Sequence, residues 1–77
     1  MDTHTRLQQV FRETFDEDDL VIQDSTTAAD IPDWDSLAHV TLIVNIEVEF
    51  KIRFASAEVS GLKDVGELRA VIESKLA

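Results

Sequence analysis

The chain has 77 residues, a length that bounds it to one small domain over residues 1–77. Sixteen acids against seven bases give a net charge of −9. That balance disfavours phosphate backbones and anionic membrane surfaces, so no nucleic acid or membrane insertion is expected, and basic protein surfaces are the natural partners. There is no cysteine, which removes disulfides, thiolate nucleophiles and Cys-based zinc sites.

Other classes fall to the same arithmetic. A chain this short buries only about 60% of its unfolded surface, and its net stability is on the order of 4–12 kcal/mol. Little room remains for an enclosed active site, so an enzyme is not expected. The apolar fraction of 44% argues against disorder. No stretch approaches the roughly 18 apolar residues of a membrane span. Met1-Asp2-Thr3-His4 lacks the basic start and apolar run of a signal peptide, so the expected compartment is the cytoplasm.

Helix breakers are scarce. Pro32 is the only proline, and Gly61 and Gly66 are the only glycines. Apolar residues recur at helical spacing, so the class is all-α. The first helix is expected from Thr3 to Phe15, with Leu7, Val10, Phe11 and Phe15 on one face and Arg6, Gln9, Arg12 and Glu13 toward water.

A long loop over residues 16–35 follows. It holds Asp16, Glu17, Asp18, Asp19, Asp24, Asp30, Asp33 and Asp35 and no lysine or arginine. Loops of that length are either functional or poorly ordered. Leu20, Ile22 and Ile31 are placed to pin it across a bundle, and Ser25-Thr26-Thr27 to carry a short turn. Asp16-Glu17-Asp18-Asp19 lacks the alternating ligands and central glycine of a calcium loop, so it reads as a solvated turn and no metal is expected. Trp34 is expected to pack beside the start of the next helix.

That second helix is expected from Ser36 to Phe50, with Ser36 as its N-cap. Leu42, Ile43, Ile46 and Phe50 form one apolar stripe; Leu37, Val40, Val44 and Val48 form another. A helix apolar nearly all round is either central or offers one stripe to a partner. A short third helix is expected from Ser56, as N-cap, to Gly61. A last helix opens at Asp64-Val65-Gly66-Glu67, whose spacing resembles a capping box. Val65, Leu68, Val71, Ile72 and Leu76 supply its apolar face.

Asp35, Ser36 and His39 suggest a catalytic triad only superficially. Ser36 and His39 lie three apart on one helix, and nothing supplies an oxyanion hole. The alternative chemistry is modification of Ser36 by another enzyme, because a side chain at a helix start is accessible and free N–H groups there suit a phosphodiester.

The run Asp35-Ser36-Leu37 followed by an apolar helix, then Glu47-Val48-Glu49-Phe50 and the alternating Ile52-Arg53-Phe54, resembles the acyl carrier protein signature. The resemblance covers nearly the whole chain. It implies a helical bundle of three main helices plus one short one, with a long loop between the first two. It implies a carrier rather than an enzyme. A phosphopantetheinyl transferase would attach 4′-phosphopantetheine to Ser36, with Asp35 aiding transferase recognition. Acyl groups would ride as thioesters to acyl-loading and acyl-processing enzymes with basic docking surfaces, met through Leu37, Val40, Val44 and Glu47. The carrier would be a monomer. Leu42, Ile46, Phe50 and Leu62 either line a cavity for the acyl chain or are simply packed. Asp33-Trp34 stand where carriers of fatty-acid synthesis usually have a glycine before Asp-Ser. Trp34-Asp35-Ser36-Leu37 looks more like specialised carriers of polyketide-like, modified-lipid or surface-polysaccharide pathways. The competing reading is an unmodified acidic adaptor that binds a basic partner through Val40, Val44 and Glu47.

Overall fold

The computed structural model describes residues 2–76. The elements in order are α1 (Thr3–Phe15), a 3-10 turn (Ala28–Asp30), α2 (Ser36–Phe50), α3 (Ser56–Ser60) and α4 (Val65–Leu76). No strand occurs among the described residues, and no helix among them is long and apolar enough to cross a membrane.

α1 starts where Asp2 accepts a hydrogen bond from the Thr5 N–H at 2.7 Å and stops where Asp16 turns left-handed at φ 53°. The first acid of the loop therefore terminates a helix. Leu7, Val10, Phe11 and Phe15 are buried as expected. Arg6 and Arg12 are not simply turned to water. Arg6 pairs with Glu49 at 3.2 Å and lies over the Phe50 ring at 4.4 Å. Arg12 Nε donates to the Leu20 carbonyl at 2.7 Å. Their long stems cover apolar surface while their heads find acceptors, so both fasten α1 to other segments.

The core holds thirteen described apolar residues from α1, the loop, α2 and α4, and no described polar side chain is buried. On α2 only the stripe Leu42, Ile43, Ile46 and Phe50 is covered.

The long loop is built into this core. Ile22 and Ile31 are buried and Leu20 is half-buried. The Ile22 N–H donates to Gln8 Oε1 at 3.0 Å. The expected short turn forms over residues 23–26, where the Thr26 N–H donates to the Gln23 carbonyl at 3.0 Å and the Gln23 N–H to Thr26 Oγ1 at 2.9 Å. The 3-10 turn at Ala28–Asp30 follows it, started by the Thr27 N–H donating to Asp30 Oδ2 at 2.9 Å. The loop also closes the start of α4. The Val65 N–H donates to the Thr26 carbonyl at 2.9 Å and the Gly66 N–H to the Asp24 carbonyl at 2.8 Å. A Cβ on Gly66 would lie 3.0 Å from that carbonyl oxygen. The glycine serves close approach, not an unusual φ. Arg69 then clamps Asp24 with two bonds, at 2.9 and 2.8 Å.

Two expected helix starts shift, while α3 ends at Gly61 as expected. α3 has Ala55, not Ser56, at its N-cap position, because the Glu58 carboxylate reaches back to accept from the Ala55 N–H at 2.7 Å. Gly61 follows α3 at φ −112°, outside the left-handed region. The left-handed helix ends are Asp16 and Lys51. At α4, Asp64 accepts from the Glu67 N–H as expected, but Glu67 accepts from Lys63 rather than Asp64, so the box is displaced by one residue. Of its apolar face, Val65, Leu68 and Ile72 are buried and Val71 is half-buried. Leu76 is exposed, because the last turn runs past the core.

The Arg69 guanidinium holds the Asp24 carboxyl below its ordinary 3.8, and Lys75, followed by the Ala55 N–H, holds Glu58 below 4.5. These acids are exposed, and surface pairs contribute little each. Depressed carboxyls stabilise the fold above their unfolded values, and that contribution is lost as pH falls through the lower native values. Acidification also relieves the repulsion of a −9 chain, so the wild-type curve alone mixes two opposed effects. Arg69→Gln separates them. Thermal unfolding from pH 7 to pH 2.5 should show the variant less stable than wild type at neutral pH, with the gap closing below about pH 4. A gap of constant size would show that the clamp does not act through the Asp24 charge.

Candidate functional site

The site forms where the loop enters α2. Asp35 is extended at φ −106° and ψ −172°, and its Oδ1 accepts the Ala38 N–H at 2.8 Å. Asp35 is therefore the N-cap, and the expectation that Ser36 caps the helix is corrected. Two good capping residues stand side by side, and the Ile31-Pro32-Asp33-Trp34 path delivers the first of them to the cap position. The Trp34 N–H donates to the Ile31 carbonyl at 3.0 Å and the Asp35 N–H to the Asp33 carbonyl at 3.1 Å, turning the chain into the helix. Ser36 becomes the first helical residue, exposed, with its hydroxyl left out of the cap.

Trp34 holds this corner in place. Its ring meets Phe11 edge-on at 5.3 Å and lies 6.3 Å from Phe15. The His39 ring lies beside it, centroids 6.0 Å apart with 22° between the planes. The Trp34 Nε1–H donates to His39 Nδ1 at 3.1 Å. His39 Nε2 lies 3.0 Å from the Val59 carbonyl oxygen. Both imidazole nitrogens are thus engaged away from Ser36, which disposes of the triad. The sequence contained the spacing of Ser36 to His39 but no sign of these two partners.

Beside Ser36 lies an open cleft of about 420 Å³. Trp34, Asp35, His39, Val59, Leu62 and Leu68 are among its walls, with Ser60 and Lys63. Of the residues considered for an acyl cavity only Leu62 borders it. Leu42, Ile46 and Phe50 are packed in the core.

The second apolar stripe of α2 runs away from Ser36 across the surface. Leu37 is 77% exposed, Val40 60%, Val44 51% and Val48 73%. The structure thus brings Ser36, Asp35, Leu37, Val40 and Val44 onto one accessible edge. Glu47 lies at the far end, half-buried, with Oε2 accepting the Phe54 N–H at 2.9 Å. One of its oxygens therefore anchors the segment after α2. Val48 extends the stripe beyond the residues singled out for partner contact. No group of three or more potential metal-ligating side chains occurs among the described residues.

The arrangement offers a free, accessible hydroxyl at the start of a helix, where N–H groups and the helix dipole favour a negative substituent. It lacks an activating base or oxyanion pocket. It suits a residue that is acted on.

A scan of protein-family models finds no match to the chain, and a search of curated proteins finds none. Among solved structures, the chain is similar to a holo acyl carrier protein from Geobacter metallireducens, determined in solution by NMR. The identity is 46%, the TM-score is 0.91, and the match covers 99% of this chain and 87% of the other. Four helices in the same order, a serine freed at the start of the second, and this likeness over nearly the full length lead to one assignment: the chain belongs to the acyl carrier protein family and is a carrier rather than an enzyme.

Proposed function

We propose that Ser36 is the attachment point for 4′-phosphopantetheine and that the chain carries acyl intermediates as thioesters on that arm. The observation that supports this most is the division of roles at the start of α2. Asp35 caps the helix, so the exposed Ser36 hydroxyl is spared for chemistry. In the attachment step Ser36 Oγ bonds to the pantetheine-side phosphorus of coenzyme A. The bridging P–O bond breaks, adenosine 3′,5′-bisphosphate leaves, and the serine proton passes to a base on the transferase. The product phosphodiester has room in the open cleft and lies beside the N-terminal N–H groups of α2. Lys63, on the cleft wall, supplies positive charge nearby. The arm contributes the thiol that a cysteine-free chain lacks.

In this reading the protein works as a monomeric single domain among cytoplasmic enzymes. Its partners are a phosphopantetheinyl transferase and acyl-loading and acyl-processing enzymes. Docking uses the exposed stripe Leu37, Val40 and Val44 for apolar contact. Asp35 beside the serine and the outer part of Glu47 face basic groups of the partner. Trp34 before Asp35 supports service in a specialised pathway of polyketide-like, modified-lipid or surface-polysaccharide type.

Intact-protein mass spectrometry after incubation with coenzyme A, magnesium and a broad-specificity transferase should show one added phosphopantetheine on the wild type. Ser36→Ala should stay unmodified with an unchanged helical spectrum. A folded wild type that gains no mass, also with a transferase from the source organism, would favour the unmodified adaptor. The stripe makes a second prediction. Val44→Asp should lower kcat/KM for loading by about tenfold or more, as expected of a docking anchor. It should leave stability within about 0.5 kcal/mol, because the site is exposed. Loading kinetics equal to wild type would remove Val44 from the docking face.

A further inference from the structure

We propose that His39 is a specificity-determining residue that bars long acyl chains from the core, so that this carrier holds short or polar cargo in the open cleft. The inference rests on the carrier reading above.

The core-facing stripe of α2 comprises Leu42, Ile43, Ile46 and Phe50. Continued one turn toward Ser36 at helical spacing, that stripe arrives at position 39. Residues 39, 42, 46 and 50 are separated by three, four and four, so they share a face. An apolar side chain at 39 would extend a greasy track from the serine into the interior. The residue there is an imidazole.

Its two nitrogens are committed in a way that fixes the ring. The indole Nε1–H of Trp34 can only donate, so His39 Nδ1 is the acceptor of that 3.1 Å bond. The Val59 carbonyl can only accept, so Nε2 carries the proton in the 3.0 Å bond to it. The neutral tautomer protonated at Nε2 satisfies both. The Trp34 ring that donates to the imidazole is itself held by Phe11 and Phe15.

The Val59 bond ties α2 directly to α3. α3 has five residues, none of them fully buried; Val59 is its one apolar residue besides the small Ala57, and it packs against the core. Its other polar tie is the Lys75–Glu58 pair at 2.8 Å, which leads to α4. An alkyl chain passing from Ser36 between α2 and α3 would have to break the His39 bridge and strand the indole N–H and the Val59 carbonyl without partners. Behind the bridge, Leu42 and Ile46 are already at zero exposure. In front of it the cleft is open and partly polar, with Ser60 and Lys63 on its wall.

The test loads the full chain with acetyl- or octanoyl-phosphopantetheine from the corresponding acyl-coenzyme A. Two readouts are compared: the thermal midpoint, and the methyl NMR shifts of Leu42 and Ile46. In wild type the two loaded forms should melt within about 1 °C of each other, and the core methyls should not respond to chain length. In His39→Leu the octanoyl form should melt higher than the acetyl form by about 4–8 °C, the usual response of a domain this small to a modest added stabilisation. The core methyls should then shift with octanoyl only. His39→Gln, which keeps a donor and an acceptor, should behave as wild type. His39→Met also replaces the imidazole by an apolar side chain and removes both bonds; it should show the chain-length dependence even if His39→Leu fails to fold. A purely structural role for His39 would alter overall stability in these variants without making it depend on chain length, and that result overturns the proposal. Octanoyl-dependent core shifts in wild type overturn it as well, and leave the carrier reading intact. Failure of wild type to load at Ser36 overturns both.

Discussion

α2 is apolar on two sides, and the chain is long enough to cover only one of them. Leu42, Ile43, Ile46 and Phe50 are buried against α1, α4 and the loop, whereas Leu37, Val40, Val44 and Val48 remain in water. Burial of the first stripe is the dominant favourable term, at about 25 cal/mol per Å² of apolar surface. It fixes the rotation of the helix about its axis. Once that rotation is set, the second stripe must face outward and Ser36 must stand at its head. The surface cost of four exposed aliphatic residues, spread over about 16 Å of helix, is consistent with a face that other proteins cover in turn.

The loop makes this disposition possible. Twenty residues, eight of them acidic, without a regular α-helix would be a liability in so small a domain. Here the segment contributes Ile22 and Ile31 to the core, carbonyls to the start of α4, and Trp34 to the aromatic cluster with Phe11 and Phe15. It arrives at α2 with Asp35 at the cap. The cap bond consumes the carboxylate and leaves the neighbouring hydroxyl free. In the proposed function, stability and chemistry thereby fall on adjacent residues, and modification of the serine would leave the helix start fastened.

Much of this was legible in the sequence. The bounds of α1 and α2 follow from apolar periodicity and strong stop signals, and the two stripes of α2 separate on a helical wheel without any coordinates. The shifted features share a cause: they depend on differences of a few tenths of a kcal/mol, or on partners distant in sequence. Asp35 and Ser36 are both good caps, and only the path of the loop decides between them. Ser56 lost the cap position to Ala55 because Glu58 reaches back to that N–H. Arg6 and Arg12 read as solvent-facing, since Glu49 and the Leu20 carbonyl lie on other segments. The Trp34–His39–Val59 chain spans three elements, and no local pattern announces it.

The central claim is that Asp35 bears the cap while Ser36 bears the chemistry. Thermal unfolding of Asp35→Ala beside Ser36→Ala tests it most directly. The account expects Asp35→Ala to cost about 1 kcal/mol, the usual loss of a side-chain cap, and Ser36→Ala to change stability by no more than about 0.5 kcal/mol. The reverse order, with Ser36→Ala the more costly, would return the cap to the serine and contradict the account.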